Sequence, residues 1–190
     1  MSKGMLVILS APSGCGKDTV FKEICKVRDD VVESVSATTR SPREGEVDGV
    51  NYFFVKEEQF EHMIKNQMLL EHARYNNYYY GTPVKGVKDA VRQGKICFLI
   101  IEVHGALAIK NIFPDCVSIF LLPPSLEELE KRLRSRESDS EDIILDRLSI
   151  AQDEIMYSDQ YDYRVINDNL SECVEDINQI LSLELKKRQA

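Results

Sequence analysis

The sequence predicts an α/β fold, a three-layer sandwich in which helices cover both faces of a central parallel sheet, with a mainly β insertion and a helical lid. Three observations point there. Met5-Leu6-Val7-Ile8-Leu9 is a strand-length apolar run that passes through Ser10-Ala11-Pro12-Ser13-Gly14-Cys15-Gly16-Lys17-Asp18-Thr19 into Val20, Phe21, Ile24 and Cys25 at helical spacing. Ile96 to Val103 and Val117 to Leu122 are continuous apolar runs, as expected of parallel strands buried on both faces. Residues 36–82, by contrast, read mainly as short strands between turn signals.

The first loop is the element on which the functional reading turns. Strand, tight glycine-containing loop and helix is the context of a phosphate-binding loop. Backbone N–H groups and the positive helix end face an anion, glycines allow close approach, and a lysine adds a point charge. Gly14, Gly16 and Lys17 fit the G-x-x-x-x-G-K-[ST] pattern. Ala11 stands at the first glycine position and Asp18 at the hydroxyl position, with Thr19 one place later.

The helix opened by Lys17 is expected to reach Lys26, and Val31 to Ser36 to form a second strand. Arg40 and Arg43 follow in a loop of hydroxyls and a proline, where two guanidinium groups can fork onto phosphate oxygens. Val47-Asp48-Gly49-Val50 signals a hairpin turn before a strand over Asn51 to Val55. A helix over Glu57 to Asn66 and strands over Leu69 to Tyr75 and Asn77 to Gly81 complete the insertion. Thr82-Pro83 reads as the N-cap and first turn of a helix with Val84, Val87 and Val91 inward, closed by Gly94. Glu102 is the one acid of the run 96–103 and sits near its C-terminal end, the edge where open α/β sheets place ligands.

After the strand over Val117 to Leu122, Ser125-Leu126-Glu127-Glu128 reads as a capping box for a helix with Leu126, Leu129 and Leu133 inward. Arg132, Arg134 and Arg136 end it, the acidic stretch Glu137 to Asp142 follows, and a second helix carries Ile143, Ile144, Arg147, Leu148, Ala151 and Ile155. Helix, charged turn and helix is the layout of a mobile lid, and equally of a solvated helical hairpin. A last strand, Arg164-Val165-Ile166, ends at Asn167, and a helix from Ser171 to Lys187 buries Val174, Ile177, Ile180 and Leu181. One domain is expected: a core of 1–35, 83–125 and 161–190, an insertion over 36–82 and a lid region over 126–160.

Bulk properties agree. The 190 residues suffice for one core with small inserted subdomains. Hydrophobic residues at 43% and charged residues at 29% suit a soluble globular chain, and a formal charge of -8 argues against a broad nucleic-acid footprint. A local arginine cluster can still hold a small anion. No stretch approaches a membrane-spanning length and no leader precedes the first strand, so a cytoplasmic protein without membrane partners is expected. Cys15, Cys25, Cys97, Cys116 and Cys173 include no C-x-x-C pair and read as reduced, mostly buried thiols. His62, His72 and His104 are too dispersed for a zinc site.

With these motifs in place, the chain resembles the guanylate kinase family, a group of P-loop NTPase folds, over nearly its whole length. The resemblance rests on Ala-Pro-Ser-Gly-Cys-Gly-Lys at 11–17, Ser-Val-Ser-Ala-Thr-Thr-Arg-Ser-Pro-Arg-Glu-Gly-Glu at 34–46, Asp-Gly-Val-Asn-Tyr-Phe-Phe-Val at 48–55, Tyr-Tyr-Gly-Thr at 79–82 and Lys-Arg-Leu-Arg-Ser-Arg at 131–136. It implies phosphoryl transfer from ATP to GMP or dGMP with Mg2+, in purine nucleotide metabolism, by a monomer or homodimer. It further implies that Arg40, Arg43, Tyr52 and Tyr80 hold the acceptor phosphate, and that Ser36, Glu71, Thr82 and Glu102 surround its guanine. Residues 11–19 would hold the ATP phosphates, Lys17, Arg132, Arg136 and Arg147 would close on the transferring group, and Asn167 would lie near adenine. No direct metal ligand is implied; Thr19, Asp18 and Glu102 would act through water.

A carboxylate such as Glu71 can accept from both N1–H and the 2-amino group of guanine, whereas adenine offers an acceptor at N1 and no such amino group. Sites built on such bonds discriminate by about 10⁴. Two rivals stay open at this level: a kinase for another phosphorylated acceptor, and a non-catalytic phosphopeptide-binding module of the same fold. Ile100 occupies a position where most relatives carry an acid, and Asp18 is expected to replace that charge in part. Cys15, at a helix end, is a candidate for a lowered thiol pKa and redox sensitivity.

Overall fold

The computed structural model describes residues 4–75, 77–135 and 140–189. The core begins with β1 (Met5–Ser10), α1 (Lys17–Val27) and β2 (Val31–Glu33). A second group follows: β3 (Ala37–Thr38), β4 (Phe53–Phe54), α2 (Glu57–Lys65), β5 (Leu69–Tyr75) and β6 (Tyr78–Pro83). The chain then returns through α3 (Val84–Arg92), β7 (Ile96–Ile100), α4 (Val103–Ile112) and β8 (Val117–Leu122). It ends with α5 (Leu126–Arg134), α6 (Glu141–Met156), a 3₁₀ turn Tyr157–Gln160, β9 (Tyr163–Ile166) and α7 (Leu170–Gln189).

The central sheet has the order β2-β7-β1-β8-β9, with every pairing parallel. Alternation along β1 sorts its side chains between two cores. Met5, Val7 and Leu9 pack with Val20, Phe21 and Ile24 of α1, Leu129 and Leu133 of α5, and Ile177 and Leu181 of α7. Leu6 and Ile8 pack with Val87 of α3 and Val103, Ala106 and Ile109 of α4. Two helical layers on one sheet therefore follow from apolar residues at consecutive positions. A strand that was polar on one face could not hold both.

The smaller sheet has the order β4-β3-β6-β5. Its β5–β6 hairpin is antiparallel, with Tyr75 opposite Tyr78 and Asn77 in the left-handed region at φ +67. The turn at Val47 to Val50 does not make the expected hairpin. β4 runs parallel to β3, Ala37 opposite Phe53, so residues 39–52 form a crossover loop, folded by Val50 N–H donating to Val47 O and Gly49 N–H to Tyr52 O. The strand expected over Asn51 to Val55 shrinks to two residues for the same reason.

Other boundaries shift where side chains take over the backbone. The strand expected over Ile96 to Val103 stops at Ile100, because Glu102 caps α4 with its carboxylate, accepting from His104 N–H and Gly105 N–H at 2.8 Å each. That helix is hidden in the sequence by its apolar content. Thr82 does not cap α3; it lies within β6, whose last residue, Pro83, is the N-cap. α3 closes as expected at Gly94, with Gly94 N–H and Lys95 N–H bonding back to Val91 O and Ala90 O. β2 ends at Glu33, short of Ser36. The capping box at Ser125 is half made: Ser125 Oγ accepts Glu128 N–H, but Glu128 turns to Arg132. Leu126 is 38% exposed, while Leu129 and Leu133 are buried. Arg136 and the first half of the acidic stretch after it, residues 137–139, lie outside the described residues.

Candidate functional site

The loop after β1 is shaped by two glycines in the left-handed region, Gly14 at φ +89 and Gly16 at φ +88. A Cβ is strained at both by the backbone angle, and is crowded as well: one on Gly14 would come within 2.7 Å of Leu133 Cδ2, and one on Gly16 within 3.1 Å of Asn167 Nδ2. Ala11 is not in the left-handed region, so an alanine there needs no backbone strain. Lys17 Nζ lies over the loop, donating to Ala11 O at 3.2 Å. Beyond Gly16 the first N–H groups of α1 lack intrahelical acceptors, the usual provision for an anion.

The core supports this loop from below. Asn167, at the end of β9, is buried and donates through Nδ2 to Cys15 O at 2.8 Å. Its own carbonyl accepts from Arg132 Nη1 at 2.9 Å, which brings an α5 arginine to the loop. Asn167 thus sits beneath this loop with its amide engaged there. Cys15 is fully buried, and burial pushes its thiol up to about 11 against the lowering pull of Arg132 and Lys17. The expected low pKa at the helix end is overturned, because desolvation of a thiolate outweighs the helix end. Cys25, expected among the mostly buried thiols, is exposed; the other four are buried.

The smaller sheet and its loops carry Arg40, Tyr52, Glu71, Tyr80 and Thr82, the residues expected on the acceptor side. Glu71 lies at a bulge: Leu69 pairs with Pro83 and His72 with Gly81, so Leu70 and Glu71 together oppose Thr82. The bulge sends Leu70 into the core and turns Glu71 towards Thr82, whose Oγ1 donates to Glu71 Oε1 at 2.7 Å. Burial raises the Glu71 pKa above the carboxylate range; the Thr82 hydrogen bond opposes the shift and Glu102 adds to it. Arg40 follows β3, and its guanidinium lies 5.5 Å from the Tyr52 ring and 5.7 Å from the Phe54 ring. Tyr52 and Tyr80 meet edge to face at 6.0 Å.

A cleft of about 1140 Å³ opens between the small sheet, the C-terminal end of β7 and α6, and Ser36, Tyr52, Glu71, Tyr80 and Glu102 all line it. Thr82 borders a smaller adjoining cavity of about 130 Å³, together with Ser36, Tyr52, Ile100 and Asp18. Asp18 and Ile100 therefore share one small space beside α1, while Thr19 is exposed on the first turn of α1. Arg43 is exposed on the loop beyond Arg40, and Arg147 is half-buried on α6.

The cleft also contains residues without a functional reading at the level of sequence. His104 follows the α4 cap and packs edge to face on Tyr157 at 5.7 Å. Glu154 enters from α6; burial raises its pKa, while Lys17 and the Ser13 backbone N–H pull it down. Its Oε2 is buried without a hydrogen-bond partner among the described residues. Helical spacing placed Glu154 beside the inward Ala151 and Ile155, an acid on an apolar face, and that was the available signal.

Among the described residues no group of three or more His, Cys, Asp or Glu could hold a metal. None of the helices is long and apolar enough to cross a membrane among those residues.

Comparison with known proteins agrees with this geometry. The guanylate kinase family model matches residues 3–184. The guanylate kinase of Oceanobacillus iheyensis is 48% identical over 98% of this chain and 91% of its own length. That of Bacillus cereus is 48% identical over 98% and 92%. The crystal structure of guanylate kinase from Anaplasma phagocytophilum superposes with a TM-score of 0.76 at 34% identity, covering 97% of this chain and 88% of that one. The chain belongs to the guanylate kinase family.

Proposed function

We propose that this chain phosphorylates GMP, and dGMP with it, using ATP, and that it does so in the cytoplasm as part of purine nucleotide metabolism. The observation that carries the reading is the bulge that sets Glu71 on Thr82 in the cleft where Tyr52 and Tyr80 also stand. A purine-reading carboxylate and a phosphate-holding group then face one cavity, within reach of a phosphate loop. In this reading residues 36–82 receive the acceptor and residues 126–160 act as the lid.

Ser36, Glu71, Thr82 and Glu102 surround the guanine. Glu71 Oε1 already takes the Thr82 hydroxyl, which leaves Oε2 and a second lone pair for the two guanine N–H donors. Arg40, Arg43, Tyr52 and Tyr80 hold the acceptor phosphate. The loop amides from Ala11 to Thr19 and Lys17 hold the donor phosphates, with Asn167 bracing the loop. Arg132, Arg136 and Arg147 bring positive charge to the transferring group.

An acceptor phosphate oxygen forms the new bond to the terminal phosphorus of ATP while the bridging bond to the β-phosphate breaks, giving ADP and GDP. The acceptor is largely ionised near neutral pH, so no side chain is needed to remove a proton. The protein's task is alignment, neutralisation of charge and exclusion of water. The Thr19 hydroxyl and the Asp18 and Glu102 carboxylates are hard oxygen donors that suit Mg2+ through water. When bound, Mg2+ offsets the charge between the donor phosphates.

The test is a coupled ADP-release assay with GMP, dGMP, AMP, UMP and sugar phosphates. Turnover is expected with GMP and dGMP and to be lower by about 10⁴ with AMP. Equal turnover with AMP, or none with GMP, overturns the reading.

A further inference from the structure

Glu46 has no role in the account above, yet it ties together the loop that carries both acceptor-side arginines. Its Oε1 accepts from Arg40 Nη2 at 2.8 Å, and its Oε2 from Arg40 Nη1 at 2.9 Å and from the Arg43 backbone N–H at 2.7 Å. Glu46 N–H returns to Arg43 O at 3.0 Å, and Arg40 Nη1 also reaches Ser41 O at 2.7 Å. The Arg40 and Glu46 side chains are only 12% and 19% exposed, with the guanidinium on the Tyr52 and Phe54 rings.

Two roles compete for such a carboxylate. It could stand where the acceptor phosphate belongs and be displaced, or it could brace the arginine while the phosphate binds elsewhere on it. The fork decides. Among the described residues Glu46 is the one carboxylate that pairs with Arg40, at the Nη1 and Nη2 end, and Tyr80, itself an acceptor-phosphate residue in this reading, also hydrogen-bonds the guanidinium. A guanidinium has five N–H donors in one plane, so the edge formed by Nε–H and the second Nη2 proton can still grip a second anion with two bonds. Leaving Arg40 would also oblige Glu46 to release the Arg43 N–H and open the loop.

We propose that Glu46 is a positioning residue for acceptor recognition. It holds Arg40 by one edge so that the other is presented, ready oriented, to the phosphate of a purine nucleoside monophosphate. This rests on the reading of residues 36–82 as the acceptor site.

The sign of the effect separates the two roles. Glu46→Gln removes a negative charge near the phosphate, so simple attraction, or removal of a competitor, would tighten GMP binding. Loss of the brace weakens it, because ordering a free arginine on binding then opposes association.

The experiment titrates the full chain with GMP and with guanosine, which lacks the phosphate, by ligand-observed NMR, and follows steady-state kinetics. Glu46→Gln is expected to weaken GMP about tenfold and to leave guanosine unchanged. KM for GMP rises more than kcat falls, and KM for ATP holds. Unchanged or tighter GMP binding overturns the proposal, as does an equal loss for GMP and guanosine, which marks a role in folding alone. Should Glu46→Gln fail to fold, Glu46→Asp decides. It keeps the charge but is too short for both bonds, so a smaller loss confined to GMP is expected, and none overturns the brace. If the unmodified chain binds GMP no better than guanosine, the acceptor-site reading itself fails and this proposal falls with it.

Discussion

Glu71 works under opposing demands, and pH separates them. In the proposed reading, guanine recognition requires its carboxylate form, but burial favours the protonated form and raises its pKa. The folded chain therefore binds this proton more tightly than the unfolded chain does. The stabilisation is full below the ordinary carboxylate value and is lost as pH rises through the raised folded value. At neutral pH an ionised Glu71 thus weakens the fold, and Glu71→Gln is expected to raise the unfolding temperature there, with the gap closing in acid. The same substitution should weaken guanosine binding about 10- to 100-fold. Guanosine is the useful probe because it lacks a phosphate of its own to titrate. Its binding to the unmodified chain should fall as pH drops through the raised value, and a flat profile would remove Glu71 from guanine recognition.

The thiols make a second test at this scale. Cys15 is buried with its pKa pushed up to about 11, and Cys97 and Cys173 are buried and pushed up to about 12. Only a thiolate reacts rapidly. A maleimide should label Cys25 first in the folded chain, as read by peptide mass spectrometry. Early labelling of Cys15 would contradict its packing.

Among the elements, the phosphate loop depends on the C-terminal end of β9. Asn167 Nδ2 holds Cys15 O, and Asn167 O receives Arg132. Asn167→Ala leaves a buried carbonyl without its donor, a change that costs about 1 to 3 kcal/mol. For a chain of this size that corresponds to a fall of roughly 2 to 12 °C in unfolding temperature. Tripolyphosphate binding should weaken in parallel, since it reports the loop without a purine. Stability lost with tripolyphosphate binding intact would show that Asn167 supports the core and not the shape of the loop. Much of the element pattern was legible beforehand. β1, β8, α1, α2 and α7 follow from apolar period, and the loop from its glycines and lysine. The crossover between β3 and β4 was not legible, because Asp48-Gly49 signals a turn without saying which strand the chain meets next.

On the scale of the molecule, the cleft has walls from different units. Glu71 and Tyr80 belong to the small sheet and Tyr52 to the crossover loop before β4, Glu102 and His104 to the core edge, and Glu154 and Tyr157 to α6 and the turn after it. Transfer between two nucleotides needs water excluded, so the small sheet and the 126–160 region are expected to move towards the loop when both sites fill. Small-angle scattering with a bisubstrate analogue should show a smaller radius of gyration than the free chain. Superimposable profiles would count against closure.

The sequence by itself determined the sandwich and the chemistry on offer. Consecutive apolar residues in β1, β7 and β8 can be satisfied only by cover on both faces, and Gly14, Gly16 and Lys17 between a strand and a helix have the pattern expected of an anion site. Tertiary structure decided which of those groups meet. The bulge at Leu70 and Glu71 depends on how β5 pairs with β6, and the partner of Glu46 depends on a loop whose ends are held by two strands 14 residues apart. Periodicity records which residues leave water. It does not record register, and register sets which polar side chain faces which.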